Sequence, residues 1–220
     1  MTRNIDQKPL RTEQERMVGA EIEKIFNESA DAVETRLENF PKYVRRQHLT
    51  RFLAHYEIFK RILRVKGSIV ECGVNRGYGL MTWAKLSALL EPTNLTRRIY
   101  GFDTFAGFPS VSDKDRFLGH IAKVELVKGD AAQTIPAFMA DHPHLVVSLL
   151  FMDFDLYEPT RAALEHFVPR MPRGAILAFD ELDNPLWPGE TKALLDTLGI
   201  GRLKLQRLEF DPYIAFARIP

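Results

Sequence analysis

With 220 residues, 45% of them apolar and 27% charged, the chain is long enough to bury one full α/β core and too short for two comfortable ones. Lys and Arg number 30 against 29 Asp and Glu, a formal net charge of +1, so nothing in the balance favours nucleic acid or an anionic membrane as partner. The single cysteine, Cys72, excludes an internal disulfide and any cysteine-rich metal site, and fits a reducing compartment.

The start, Met1 to Lys8, is polar and lacks the apolar core of a signal peptide. The longest apolar run, Leu145 to Met152, is interrupted by Ser148 and is far short of a membrane span. A cytoplasmic protein is expected. Met17, Ile22, Ile25, Phe26, Val33, Leu37 and Phe40 recur at roughly helical spacing until Pro41 ends the pattern. Leu49, Phe52, Leu53, Tyr56, Phe59, Ile62 and Leu63 then mark a second helix with one apolar face. Neither helix has a strand partner, so the two are expected to pack on a sheet edge, cover a cofactor or form a subunit interface. Residues 1–66 are read as a helical extension and 67–220 as the main domain. A homodimer or higher homo-oligomer through the surplus apolar faces of the extension is the expected assembly. Arg45, Arg46 and His48 are within the range of an anionic substrate, but a solvated face is the plainer reading.

The stretch from Gly67 to Gly79 organises the main domain. Ile69 and Val70 end in the acid Glu71, and Gly73, Gly77 and Gly79 lead into an apolar helical pattern from Leu80 to Leu90, which reads as strand, tight loop, helix. In an open α/β sheet this layout makes a ligand crevice at the carboxyl end of the first strand. The spacing is not that of a dinucleotide fingerprint, because Asn75 and Tyr78 stand where two of its glycines would fall. It is similar instead to the first motif of S-adenosylmethionine-dependent methyltransferases. Gly73 and Gly77 would let the main chain pass close to the methionine part, and Glu71 would accept hydrogen bonds from its ammonium side. Ordinary strand-to-helix turns use glycine too.

Arg98 to Asp103 forms a second strand ending in an acid, where a carboxylate can accept both protons of a ribose diol, so Asp103 is the ribose ligand expected. A turn carboxylate before Thr104 is the alternative. Lys123 to Val127 is a third strand, followed by Asp130 and Ala131 at the position of an adenine ring, with a helix continuing through Thr134. The fourth strand, Leu145 to Met152, is a continuous apolar run, as expected of a central strand buried on both faces. It ends in Asp153-Phe-Asp155, and Pro159 to Phe167 begins a helix. Gly174 to Phe179 is the fifth strand, ending in Asp180-Glu181, and Trp187-Pro-Gly-Glu leads into a helix reaching about Leu198. Arg202 to Glu209 and Tyr213 to Ile219 close the fold as an antiparallel hairpin, giving seven strands.

Strands four and five are expected side by side, which crowds Asp153, Asp155, Asp180 and Glu181 into one small volume. Four carboxylates there require raised pKa values or a cation. A hard divalent ion such as Mg²⁺ is the simpler solution, with Asp153, Asp180 and Glu181 as ligands and Asp155 left as a base. Capping of the following helices is the structural alternative.

Glu71-Cys-Gly-Val-Asn-Arg-Gly, Gly101-Phe-Asp-Thr-Phe-Ala-Gly-Phe-Pro109, Asp153-Phe-Asp-Leu-Tyr-Glu158, Phe179-Asp-Glu and Trp187-Pro-Gly resemble, in order, the motifs of the macrocin and mycinamicin O-methyltransferase family. Within it the chain looks most like the bacterial deoxysugar-nucleotide 3-O-methyltransferases, over roughly Tyr43 to Ile219. The resemblance implies a class I, Rossmann-like methyltransferase sheet, S-adenosylmethionine as cofactor, and Mg²⁺ held by Asp153, Asp180 and Glu181. It also implies Asp155 as general base, and a deoxysugar 3-hydroxyl of a sugar nucleotide or glycoside as substrate, in antibiotic or other natural-product biosynthesis. Tyr157 and Trp187 are placed to wall the substrate or to pack in the core. Two departures stand out. Glu181 replaces the second aspartate of many members, and the chain passes directly from Asp115 to Arg116-Phe-Leu-Gly-His120 where members carry a longer segment beside the substrate. The rival readings are a metal-dependent nucleotide-sugar glycosyltransferase, built on Asp153-Phe-Asp155, and a cofactor-binding protein without catalysis.

Overall fold

The computed structural model describes residues 13–104 and 123–220. The chain divides into two compact units, Met1–Leu53 and Ala54–Pro220. In the first, α1 (Glu13–Glu28) and α2 (Val33–Glu38) replace the single helix that the apolar spacing predicts. The break has a local cause. Ser29 Oγ donates to Asp31 Oδ2 at 3.1 Å and accepts from Asp31 N–H at 3.2 Å, so the serine side chain takes over a main-chain N–H that a continuing helix would have used. Arg36 then donates to the Phe26 carbonyl at 2.9 Å near the end of α1. Tyr43, buried, sets its ring edge-on to Phe26 with centroids 5.4 Å apart and places its hydroxyl 3.3 Å from Asp31 Oδ2. Arg45 lies against α1 at Gly19, where an added Cβ would meet its guanidinium at 2.0 Å.

α3 (Arg46–Ile62) runs from the first unit into the second. From Ala54 onward its Ala54, Ile58, Phe59 and Ile62 are fully buried against Ile69, Trp83, Leu86 and Phe151. This half of the helix covers a face of the sheet and not its edge, because an i, i+4 apolar stripe of that width needs a broad apolar surface.

The sheet has seven strands in the order β3-β2-β1-β4-β5-β7-β6. They are β1 (Ser68–Cys72), β2 (Ile99–Asp103), β3 (Val124–Lys128), β4 (Val147–Met152), β5 (Ile176–Phe179), β6 (Gln206–Arg207) and β7 (Ala215–Arg218). The first five are parallel, and β7 runs antiparallel to both β5 and β6. α4 (Tyr78–Leu90), α5 (Ala131–Asp141), α6 (Tyr157–Phe167) and α7 (Gly189–Thr197) complete the layers. Successive residues of β1 serve opposite faces. Ile69 joins the core under α3 and α4, whereas Val70 and Cys72 join Ile135, Phe138, Phe167 and Leu194 of α5, α6 and α7. The closing hairpin is present, but β6 pairs at only two residues, Gln206 with Phe216 and Arg207 with Ala215. Asp211 makes the turn by accepting N–H bonds from Tyr213 and Ile214 at 2.9 and 3.0 Å.

At the opposite edge of the sheet from the acids, Arg97 is buried. Its Nε stands 2.7 Å from Glu91 Oε1, and its terminal nitrogens donate to the carbonyls of Gly67, Ile62 and Val65 at 2.9, 3.1 and 3.2 Å, and to Ser148 Oγ.

Cys72 is a core residue. Burial, and then the charges of Glu71 and Glu190, push its thiol pKa well above the ordinary value, so it stays protonated and unreactive. We expect the folded protein to take up no thiol label at pH 8 and to react fully once denatured. Labelling of native protein, detected by mass spectrometry, would contradict this.

Candidate active site

Strand order reverses between β1 and β4, so a crevice opens at their carboxyl ends. The main chain is tied closely there. Gly73 N–H donates to Phe102 O at 2.8 Å, Asp153 N–H to Cys72 O at 2.7 Å, and Asp180 N–H to Met152 O at 2.9 Å. The ends of β2, β1, β4 and β5 therefore lie side by side, carrying Asp103, the glycine loop, Asp153 and Asp180.

The glycine loop is shaped by left-handed residues, with φ of +93° at Gly73, +48° at Asn75 and +80° at Gly77, the residue that precedes α4. At Gly73 a side chain is excluded twice over, since a Cβ would lie 2.0 Å from the Asp153 carbonyl. Asp103 Oδ2 reaches across and accepts the N–H groups of Val74 and Asn75 at 2.9 and 2.8 Å. The acid expected at the ribose thus also latches the loop. Glu71 is 2% exposed, and its carboxylate lies beneath the first turn of α4, where a Cβ on Gly79 would meet Oε1 at 2.5 Å. The third glycine of the motif leaves room for that carboxylate. Asp130 caps α5 through Oδ1, which accepts from Ala132 N–H at 3.0 Å, and Ala131 is buried beside it.

On the acidic side, Asp153 and Asp155 follow β4 and are half-buried, while Asp180 follows β5 and is buried. Asp155 has a φ of +62°, strained for a residue with a side chain. Glu181 receives the Asn184 side-chain amide on Oε2. Among the described residues, no group of three or more His, Cys, Asp or Glu stands arranged to hold a metal ion. The Tyr157 hydroxyl donates to Asp196 Oδ2 at 3.0 Å and ties α6 to α7, while Trp187 is half-buried. The short passage through Asp115 and Arg116, and the loop from Phe105 to Pro109, lie outside the described residues.

Glu190 carries no signal in the sequence that marks it for the site. It is 0% exposed, and its Oε2 accepts the Glu181 N–H at 3.1 Å. Burial drives its pKa well above the usual carboxylate range. The Glu181 amide opposes the rise, and the charges of Asp180 and Asp155 add to it. Oε1 is buried with no hydrogen-bond partner among the described residues. In sequence, an acid in the first turn of a helix reads as an ordinary partner of the helix dipole. The nearest thing to a signal is the residue before it. A Cβ on Gly189 would lie 2.4 Å from Asp155 O and 2.6 Å from Tyr157 N, so glycine lets α7 press its start against the loop after β4.

A family model described as "Methyltransferase domain" matches residues 70–182, half of the chain, from β1 through the end of β5. The chain belongs to this methyltransferase family. Among solved structures, CalS11, described as a TDP-rhamnose 3'-O-methyltransferase of calicheamicin biosynthesis, is 36% identical with a TM-score of 0.86. The match covers 94% of this chain and 95% of that one, so at most a short segment of CalS11 goes unmatched. The O-methyltransferase NovP is 18% identical, with a TM-score of 0.60 over 77% of this chain and 79% of its own. An O-methyltransferase from Bacillus cereus in complex with SAH is 13% identical, at 0.53 over 96% and 92%. These last two speak for the fold alone. Among curated proteins none matches the sequence.

Family membership makes the chain a methyltransferase, and its 36% identical relative is one that acts on oxygen. The sheet of this chain is the class I arrangement with the antiparallel β5-β7-β6 end. Membership sets aside the glycosyltransferase reading of Asp153-Phe-Asp155. No described helix is long and apolar enough to cross a membrane.

Proposed function

We propose that the methyltransferase methylates a hydroxyl of a deoxysugar, the 3-hydroxyl of a nucleotide-linked sugar or glycoside, in natural-product biosynthesis. The observation that carries this reading is the 36% identity to CalS11 over nearly the whole of both chains. In this reading Glu71, Gly73, Gly77 and Asp103 hold the methionine and ribose parts of the cofactor, with Asp130 and Ala131 beside the adenine. The donor set after β4 and β5 is all oxygen, and the unpartnered Oε1 of Glu190 adjoins it, which suits a hard divalent ion. Asp153, Asp180 and Glu181 would hold Mg²⁺, which when bound lowers the pKa of a nearby sugar hydroxyl.

The remaining work belongs to the chain. Asp155 accepts the hydroxyl proton as the sugar oxygen bonds to the sulfonium methyl and the carbon–sulfur bond breaks, leaving neutral S-adenosylhomocysteine. Asp155 has a positive φ, a strain of a kind that gathers at working residues. A second copy of the chain, docked through the exposed Met17, Val33 and Leu37 of the N-terminal helices, is our reading of the assembly.

Calorimetric titration with S-adenosylmethionine and S-adenosylhomocysteine, with and without Mg²⁺, tests the assignment. Asp103→Asn keeps an acceptor for the loop N–H groups and should weaken cofactor binding about tenfold, or ~1.4 kcal/mol. Asp153→Ala should leave cofactor affinity unchanged and remove the response to Mg²⁺. With TDP-rhamnose as acceptor, Asp155→Asn should lower kcat at least ~100-fold. Cofactor binding with no transfer to any sugar acceptor would revive the non-catalytic reading.

A further inference from the structure

The proposed methyl transfer assigns no proton or bond to Glu190, yet its position is costly. A carboxyl with no exposed surface lies beside Asp180 and Asp155, where like charges and low polarity both disfavour it. An acid needed only to complement the dipole of α7 would do so from solvent. What this carboxyl does is hold main chain. Oε2 takes the Glu181 N–H at 3.1 Å, and the Asp155 main-chain amide also faces the carboxyl. In the next residue Thr191 Oγ1 accepts the Asp183 N–H at 3.0 Å, and in the preceding one Gly189 lies flat against Asp155 and Tyr157. One turn of α7 therefore grips both acid-bearing loops, including Asp155 and Asp183, whose φ values of +62° and +63° need outside support.

We infer that Glu190 is a positioning residue that fixes the separation and aim of the loops after β4 and β5, and through them sets how Asp153, Asp155 and Asp180 face substrate and ion. The role in ion binding rests on the proposed Mg²⁺-dependent methyl transfer; the role in holding the loops does not. Side chains that orient the residues around a bound ion typically govern its affinity by 10- to 100-fold.

The test compares the full chain with its Glu190→Ala and Glu190→Gln variants, since glutamine keeps an oxygen for the Glu181 N–H. Hydrogen exchange is measured by mass spectrometry in peptides covering 153–157, 180–184 and 69–76, and Mn²⁺ affinity by electron paramagnetic resonance. In Glu190→Ala, exchange in the first two regions should rise about tenfold with 69–76 unchanged. Mn²⁺ binding should weaken roughly 10- to 100-fold. Glu190→Gln should restore both to within about threefold of the unaltered protein. If the alanine variant does not fold, Glu190→Asp, with a shorter arm, takes its place. Unchanged exchange, a rise of equal size in 69–76, Mn²⁺ held as tightly as before, or a glutamine variant that behaves like alanine would each overturn the inference. Should the unaltered protein bind no Mn²⁺, the ion reading fails by itself and the exchange comparison alone decides the role of Glu190.

Discussion

Arg97→Met should destabilise the fold by about 3–5 kcal/mol, seen as a lower midpoint in urea unfolding with an unchanged slope. The side chains of Arg97 and Glu91 are 2% and 8% exposed, so removing the guanidinium leaves a buried carboxylate without its partner. It also takes a donor from the carbonyls of Ile62, Val65 and Gly67, the points where the chain leaves α3 and enters β1, although Ile62 O keeps the Val65 N–H and Gly67 O keeps the Ser148 hydroxyl. Methionine fills much of the volume, so the loss reports on charge and hydrogen bonding more than on a cavity. Adding Glu91→Leu should recover part of the stability, because a buried charge costs most when it stands alone. A loss below about 1 kcal/mol, as for an exposed pair, would contradict the buried network.

Gly73→Ala should abolish cofactor binding and cost roughly 2–5 kcal/mol of stability, the sum of an unfavourable φ and a backbone collision. At +93° an alanine is strained, and its Cβ would have to occupy a point 2.0 Å from the Asp153 carbonyl and 2.6 Å from its carbon. Neither partner is a side chain that can swing away. Either the glycine loop or the Asp153 loop must move, and each carries one half of the site. Gly77→Ala is the control. Its φ is also positive, but the nearest atom to a new Cβ is Met81 Cγ at 3.9 Å, so the cost should be only ~1–2 kcal/mol, with most cofactor affinity retained. Thermal unfolding and S-adenosylhomocysteine titration of the two variants side by side separate these effects. Equal behaviour would mean that the contact with Asp153 does not matter.

How far the sequence is legible depends on how local each cause is. Each parallel strand announces itself by a short apolar run ending in an acid or a glycine, and the pairing of β4 with β5 comes from their order. Asp103, Asp153 and Asp180 can be placed on one edge for that reason. The break after Glu28 is hidden because apolar spacing continues through it, and the mark of it is a local bond from the Asp31 N–H to the Ser29 hydroxyl. The second half of α3 is left without a place because a stripe of apolar residues does not say which surface it covers. β6 is overextended because alternation in sequence does not say where pairing on an edge strand stops. Arg97 and Glu190 escape notice for a deeper reason. Arg97 gathers groups 30 to 51 residues away, and Glu190 is buried beside Gly189, which lets the start of α7 press against the loop after β4. Neither residue differs in type from the many charged residues that stay in water.

The latch of Asp103 on Val74 and Asn75 also bears on how small ligands would engage the crevice. Immobilising a residue's main chain takes about 1–2 kcal/mol of entropy, and here those two residues are already held by a carboxylate that belongs to another strand. That ordering accompanies folding of the sheet, so it is not subtracted again when a ligand arrives. If this crevice holds the cofactor as proposed, a fragment as small as adenosine or methionine would meet a wall already set in place, and each should bind measurably on its own.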